Sequence, residues 1–429
     1  MLNVINFLRS KLPMLRRFAG SAGSLAIGIV AQAIAFILLA RYLGTVQFGH
    51  LVTVTAVTAL ANSWCGFGPG ELLRRVVSRD RSMYPQAIGH TVLMILITGI
   101  VLSVLVVAGM MLFVPDGSDP LEYLLILSLL VPTNVIFPSY INMVENVFLA
   151  RGDFKRANIV NGGSGLVRAL AAVVACGFFG LSSLLSWALV WAAVHVVMCL
   201  LCVAAIWRFG RPRWRILQNE IWLGGNLALS SFFIGLRHNV DVLVLSAVTS
   251  PEFVGIYGAG RRVIGAALVV PGSFDRVIYG NLAVAGKDGA AASLKLARRY
   301  LIYSVAISGA TSVALFLVAP FAPLIFGGAF GAASDVIRIL AWTVITTAIQ
   351  FLAFDALNAS EHHKVSTIVG SIANAAGAAM VVVFGSVYGT FGIFVALYLS
   401  DITRGGALWF ALHWLARRQH GETAQGTEA

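Results

Sequence analysis

The stretch QAIGHTVLMILITGIVLSVLVVAGMMLFV, residues 86–114, runs its full length without an aspartate, glutamate, lysine or arginine. A helix needs about 20 residues to cross a hydrocarbon core about 30 Å thick, so this segment is long enough to span lipid. The whole chain extends that reading. Of its 429 residues, 59% are hydrophobic and 11% charged, against roughly 45–50% and roughly 25% in a soluble domain. A water-soluble fold has too little interior for this much apolar side chain, which excludes a cytosolic enzyme, a disordered chain and a nucleic-acid module. The net charge of +12 would point to nucleic acid in a polar protein, but the placement of the basic residues gives it another meaning.

Working outward from 86–114, apolar spans fall near 19–40, 47–66, 121–149, 157–179, 184–207, 221–248, 254–283, 298–325, 335–357, 366–385 and 390–414, twelve in all. Lys and Arg in short connections are retained on the cytoplasmic side. Basic residues gather before the first span (Arg9, Lys11, Arg16, Arg17) and then in every second connection: Arg74, Arg75, Arg79 and Arg81; Arg151, Lys155 and Arg156; Arg208, Arg211, Arg213 and Arg215; Lys287, Lys295, Arg298 and Arg299; Lys364; and Arg417 with Arg418 at the end. The alternate connections hold Arg41 alone, in company with Asp116, Asp119, Glu122 and Glu252. This alternation predicts twelve helices with both termini in the cytoplasm. It assigns 1–18 to a basic interfacial segment, 19–207 to a six-helix bundle, 208–220 to a basic cytoplasmic linker, 221–416 to a second six-helix bundle and 417–429 to a cytoplasmic tail. The apolar stretch after residue 18 is too long for a cleaved signal peptide.

Several chemistries have no residues to carry them. The chain contains no GxxxxGK[ST], and GKDG at 286–289 lacks the spacing and the hydroxyl that would meet Mg²⁺. It contains no HExxH, and His362 and His363 are adjacent and cannot face one metal from a helix. No metal site and no cofactor are therefore predicted. Cys65, Cys176, Cys199 and Cys202 all lie in or at the ends of apolar spans, where small packing residues are the expected role. The connections opposite the basic ones are short and carry no paired carboxylates for hydrolysis or transfer.

The pattern also repeats. Val46-Gln47-Phe48-Gly49-His50-Leu51 after the first span resembles Pro251-Glu252-Phe253 through Gly255-Ile256-Tyr257 after the seventh, with RFGRPRWRILQNE (208–220) between the copies. Six spans per copy give both halves one orientation, related by a pseudo-two-fold axis along the membrane normal, with a path expected between them. Glycines at helix-face spacing, such as Gly20, Gly23 and Gly28, permit close helix approach, and Pro132, Pro138, Pro271, Pro320 and Pro323 mark expected bends.

Charges at membrane depth are the informative residues, because each costs roughly 2.5–3.5 kcal/mol on insertion scales and must face protein or water. The set is Arg168, Arg237, Asp241, Arg261, Arg262, Asp401 and Arg404, with Asp275, Arg276 and Asp355 nearer the basic end. Arg237 and Asp241 are four apart and Asp401 and Arg404 three apart, so each pair can meet on its own helix. Arg168, Arg261 and Arg262 lack a local acid. They either pair between helices with Asp275, Asp355 or Asp401, or line a hydrated cationic cavity suited to phosphate, which guanidinium clamps bidentately.

The strings RYLGTVQFG (41–49), GFGPGELLRR (66–75), NVDVLVLSAVTSPEFVGIYGAGRR (239–262), LIFGGAFGAASDVIRIL (324–340) and ALNASEHHKVSTIVGSIANAAGAAMVVVFGSVYGTFGIFVAL (356–397) resemble the Wzx-type O-antigen and exopolysaccharide flippases of the MATE-like superfamily. The resemblance implies a multi-pass transporter of the bacterial inner membrane that carries undecaprenyl-pyrophosphate-linked oligosaccharide to the periplasmic leaflet by alternating access. It implies contact with membrane lipid and with polysaccharide polymerase and chain-length machinery. Carried onto this chain, it makes Arg261 and Arg262 substrate-binding residues, with Arg168, Arg237 and Arg404 joining them, and Arg74 and Arg75 an inner portal; Asp241 and Asp401 could couple transport to an ion. A multidrug or cation antiporter of the same superfamily and a lipid II flippase are the alternatives. The first would need an anionic cavity, and the span 19–40 lacks any basic residue that would favour the second.

Overall fold

The computed structural model describes the backbone of residues 2–115 and 118–426, and side chains over 28, 30–115, 118–218 and 220–419. The side chains of the expected interfacial segment 1–18 and of most of the tail at 417–429 lie outside the described residues. Everything regular among the described residues is helical: α1 (Leu2–Asn62), α2 (Pro69–Arg79), α3 (Tyr84–Met111), α4 (Pro120–Ala150), α5 (Phe154–Ala172), α6 (Leu184–Trp207), α7 (Gln218–Val248), α8 (Pro251–Ala267), α9 (Val269–Gly286), α10 (Ala290–Val318), α11 (Ala322–Phe326), α12 (Ala333–Ala341), α13 (Thr343–Ala359) and α14 (His363–Gly426). Helices satisfy their own backbone groups, which is the condition for lying in lipid.

Ten segments among the described residues are long and apolar enough to cross a membrane. Two of them are broken by a glycine outside helical geometry, Gly44 (φ 71°, ψ 175°) in α1 and Gly389 (φ 60°, ψ −141°) in α14. Only glycine adopts such a backbone without strain. Counting the two sides of each break separately gives the twelve spans read from the sequence. The helix starts are equally local in origin. Asp119 caps α4 ahead of Pro120, Ser183 caps α6, and Ser250 caps α8 ahead of Pro251, with each proline at the first helical position where its missing N–H costs nothing. Pro132 and Pro138 lie inside α4 as expected, and the eighth span divides at Leu268, three residues before Pro271, into α8 and α9.

The chain forms two compact units, Met1–Phe232 and Phe233–Ala429, so the division falls within α7. In the first unit α4 packs against α2, α3, α5 and α6, and α1 runs along α5. That last approach is close because a Cβ on Gly165 would sit 2.9 Å from Gly28 Cα. In the second unit α13 is the central helix, and Leu352, Ala353, Ala356 and Leu357 meet Ile278, Leu282, Ala297, Leu408 and Leu412 in one buried core. Large apolar residues also cover the outside, among them Leu105, Phe113 and Leu201, as lipid-facing helices require.

Two features of the first unit were not foreseen. α2 is a short amphipathic helix that buries Leu72, Leu73 and Val77 and leaves Arg74 and Arg79 exposed. The linker is not a free tether, because its extended residues are bound along the start of α3. Arg213 N–H donates to Pro85 O at 2.7 Å and Leu217 N–H to His90 Nδ1 at 3.1 Å. Arg151 lies over the rings of Phe209 and Tyr84, at 4.0 and 4.8 Å from their centroids. Arg75 pairs with Glu220. A Cβ on Gly89 would collide with the Arg213 carbonyl, whereas one on Gly109 would meet nothing within 4 Å. Gly89→Ala is therefore expected to release the linker backbone and speed tryptic cleavage after Arg213 and Arg215 in the purified protein, and Gly109→Ala to leave the digestion pattern unchanged. Equal digestion of the two variants would refute the docking role of Gly89.

Candidate functional site

Three helices of the second unit bring their charges to one level. Arg237 lies eleven residues before the end of α7 at Val248, Arg261 ten residues after Pro251, and Asp401 twelve residues after the Gly389 break. At 1.5 Å per residue these positions lie about 15–18 Å from their helix ends, the middle of a core about 30 Å thick.

The pairing crosses between helices. Arg237 binds Asp401 instead of its helical neighbour Asp241. Asp241, which is 1% exposed, takes Arg261 at 3.1 Å and accepts the hydroxyl of the fully buried Tyr257. The guanidinium of Arg261 also donates to the His238 carbonyl. The second oxygen of Asp401 accepts from Thr346 Oγ1 at 3.0 Å. Gly377 on α14 makes room for this arrangement, since a Cβ there would collide with Ser400 Oγ and reach Arg237 Cδ at 3.8 Å. The expected pairs along one helix, Arg237 with Asp241 and Asp401 with Arg404, therefore do not form. Local spacing permitted them, but the packing of α7, α8 and α14 brings Arg237 to Asp401 and Arg261 to Asp241 instead.

Arg404 completes the level. It lies within electrostatic reach of Arg237 and Asp401, forms no ion pair among the described residues, and has a buried Nε without a hydrogen-bond partner there. Arg262 is exposed on α8, turned about 100° from Arg261. Arg237, Arg261, Arg262 and Arg404 thus outnumber Asp241 and Asp401 by two. Asp275 is 4% exposed with neither carboxylate oxygen hydrogen-bonded among the described residues, and neither it nor Asp355 takes an arginine there. Of the three acids expected to pair with Arg168, Arg261 or Arg262, Asp401 takes Arg237 instead, and Arg261 takes Asp241, which was not among them.

Arg168 belongs to the first unit, on α5. Its guanidinium lies over the Trp191 ring at 5.7 Å, Trp191 Nε1 donates to Asn134 Oδ1 at 3.1 Å, and the Trp191 and His195 rings lie 4.4 Å apart. It has no ion pair among the described residues. Of the expected portal residues, Arg74 is exposed and Arg75 is engaged by Glu220. Sequence reading did not find Tyr257 and Thr346 as partners of the aspartates. Tyr257 stands four residues before Arg261, on the same face of α8, and that spacing was the available signal.

Known proteins supply a family and a fold for this arrangement. A family model described as "Polysaccharide biosynthesis protein" matches residues 20–279. No curated protein sequence matches. The inward closed conformation of the lipid II flippase MurJ aligns with a TM-score of 0.73 at 13% identity, covering 92% of this chain and 87% of that one. An inward-facing multidrug resistance MATE family transporter of the MOP superfamily aligns with a TM-score of 0.67 at 15% identity, covering 94% and 99%. The MATE multidrug transporter DinF-BH aligns with a TM-score of 0.60 at 14% identity, covering 92% and 93%. At these identities the likeness shows the fold alone.

Breaking one crossed pair leaves a charge uncompensated at mid-membrane. Asp401→Asn is expected to destabilise the protein by about 3–5 kcal/mol, and the double replacement Arg237→Leu with Asp401→Leu to recover most of that loss. Thermal unfolding of the purified protein in detergent checks both. Equal stability of Asp401→Asn and wild type would mean that the pair carries no weight.

Proposed function

Because the chain belongs to the polysaccharide biosynthesis protein family whose model it matches over 20–279, we propose that it is a flippase for undecaprenyl-pyrophosphate-linked oligosaccharide. It moves that lipid from the cytoplasmic to the periplasmic leaflet of a bacterial inner membrane, for O-antigen or exopolysaccharide assembly. The observation that carries the reading is the excess of arginine over carboxylate at one level of the second unit, with Arg404 outside any ion pair among the described residues.

The chemistry follows from what a pyrophosphate loses on leaving water. An unpaired anion cannot enter hydrocarbon, and planar guanidinium groups replace its hydration with charge-assisted, bidentate hydrogen bonds. Arg404 offers the first contact, and Arg237 and Arg261 become available as phosphate oxygens displace Asp401 and Asp241. The freed aspartates are then suited to take a cation, which is how they would couple an ion to transport. Arg168 supplies a further positive charge in the first unit, and Arg74 an exposed one at the portal. The polyprenyl tail stays in lipid throughout. Both termini, on this reading, are cytoplasmic, and the partners are the polymerase and chain-length machinery that receive the glycan. A family description naming polysaccharide biosynthesis and a shared fold with a protein named as a lipid II flippase support the same reading.

A strain deleted for this protein is expected to accumulate lipid-linked oligosaccharide in the inner leaflet, and the wild-type chain to restore export. Loss of one charge-assisted contact should lower export by Arg404→Gln about tenfold or more with an unchanged amount of protein in the membrane, as read by leaflet-resolved labelling of the glycan. Full export by Arg404→Gln and by Arg262→Gln would remove the arginine level from the mechanism.

A further inference from the structure

A cavity of about 270 Å³ opens in the first unit, at the end of the spans away from the basic connections. α1 lines it with Val46, Gln47 and His50, the start of α4 with Asp119, Glu122 and Tyr123, and α6 with Leu184. None of these residues takes part in the arginine level described above. Tyr123 is buried through its ring, but its hydroxyl is open to the cavity and makes no hydrogen bond among the described residues, and neither do the carboxylate of Glu122 or the ring nitrogens of His50. The His50 and Tyr123 rings support each other edge to face, with centroids 6.5 Å apart. Gln47 is fixed by accepting from Leu184 N–H at 2.7 Å through Oε1, which leaves its amide N–H₂ uncommitted. Asp119 spends Oδ1 on capping α4 at Leu121 N–H and keeps Oδ2.

The open hydroxyl of Tyr123 therefore stands in the cavity wall beside other uncommitted polar groups, an arrangement with which a polar ligand can make several hydrogen bonds at once. The set contains donors in Gln47 and Tyr123, acceptors in Asp119 and Glu122, and a ring in His50 that can serve as either. Two carboxylates repel phosphate. No group of three metal-binding side chains occurs among the described residues. A simple amine would use the carboxylates but leave the Gln47 amide without an acceptor. A sugar hydroxyl donates and accepts at once, and Val46, Ile126 and Leu184 supply apolar surface for the C–H faces of a ring. The volume lies just below the roughly 300–1,000 Å³ range of drug-sized sites, which suits a single ring.

We propose that this cavity binds one neutral hexopyranose ring of the transported oligosaccharide through its hydroxyls. The proposal rests on the flippase reading and concerns the first unit alone.

Saturation-transfer NMR on the full-length protein in detergent tests it, with the methyl α-pyranosides of glucose, galactose and mannose as probes and methylamine and inorganic pyrophosphate as competitors. The expected result is transfer to the ring protons of at least one glycoside, weakened about tenfold by Tyr123→Phe and by Glu122→Gln, retained in Arg404→Gln, and unaffected by pyrophosphate. Tyr123→Phe removes one oxygen and Glu122→Gln one charge, both in the first turn of a helix and without change of shape, so both variants should fold. No transfer from any of the three glycosides overturns the proposal, as does equal transfer in the two variants and the wild type. Displacement by methylamine also overturns it and makes the cavity an amine site. The Arg404 export measurement reads the flippase assignment independently, so glycoside silence beside arginine-dependent export removes the cavity's role alone.

Discussion

A guanidinium at the centre of a bilayer must be met by protein or water, and in the second unit it is met across helices. Arg237 of α7 holds Asp401 of α14, while Asp241, one turn along α7, holds Arg261 of α8. Each helix is thereby tied to another at a fixed depth, which pairing along single helices could not do. The surroundings are built to suit: Tyr257 and Thr346 spend their hydroxyls on the two aspartates, and Gly377 leaves room for Ser400, the neighbour of Asp401. A buried ion pair of this kind adds little net stability, because the desolvation of both charges nearly cancels their attraction. Its presence is better explained by what it specifies, namely which faces of α7, α8 and α14 meet.

Much of the fold was legible because lipid imposes a simple rule on sequence. All twelve apolar spans were readable from length and charge, and even the two glycine breaks fell between spans that had been read as separate. Elements without a lipid signature were not legible. α2 is too short and too charged to register as a span, although its Leu72, Leu73 and Val77 are buried as firmly as any core residue. The linker read as a basic tether because four arginines dominate its composition. Its backbone hydrogen bonds to α3, and the arrangement of Arg151 over Phe209 and Tyr84, depend on contacts that no periodicity encodes.

The candidate site was half legible for a related reason. Depth and charge identified Arg237, Asp241, Arg261 and Asp401, but spacing on one helix assigned the wrong partners. An i,i+4 pair is the nearest option only while a helix is considered alone. Once α7, α8 and α14 are packed together, each of the two carboxylates meets an arginine of a neighbouring helix, a contact that spacing along one helix does not encode. Arg168 shows the opposite outcome. No acid was visible for it in the sequence and none pairs with it among the described residues, and its partner is the face of Trp191, a cation–π contact worth about 2 kcal/mol or more when desolvated.

Neutralised arginines are compatible with carrying an anion, and the crossed pairs suggest how. A carboxylate that occupies a guanidinium is a competitor that phosphate must displace, so the empty site stays tolerable in lipid while the affinity for cargo is held to a moderate level. Displacement frees Asp241 or Asp401, and a freed carboxylate at mid-membrane is costly unless it takes a cation. Anion and cation binding at such a site favour each other, and linkage makes the effect reciprocal: whatever the cation adds to cargo affinity, the cargo adds to cation affinity. On the proposed function, loss of the cation would then restore the aspartates as competitors and expel the pyrophosphate. On the proposed function, the same two side chains that neutralise arginines in the empty protein would also time the release, with Arg404 left to hold the cargo only while that competition is suspended.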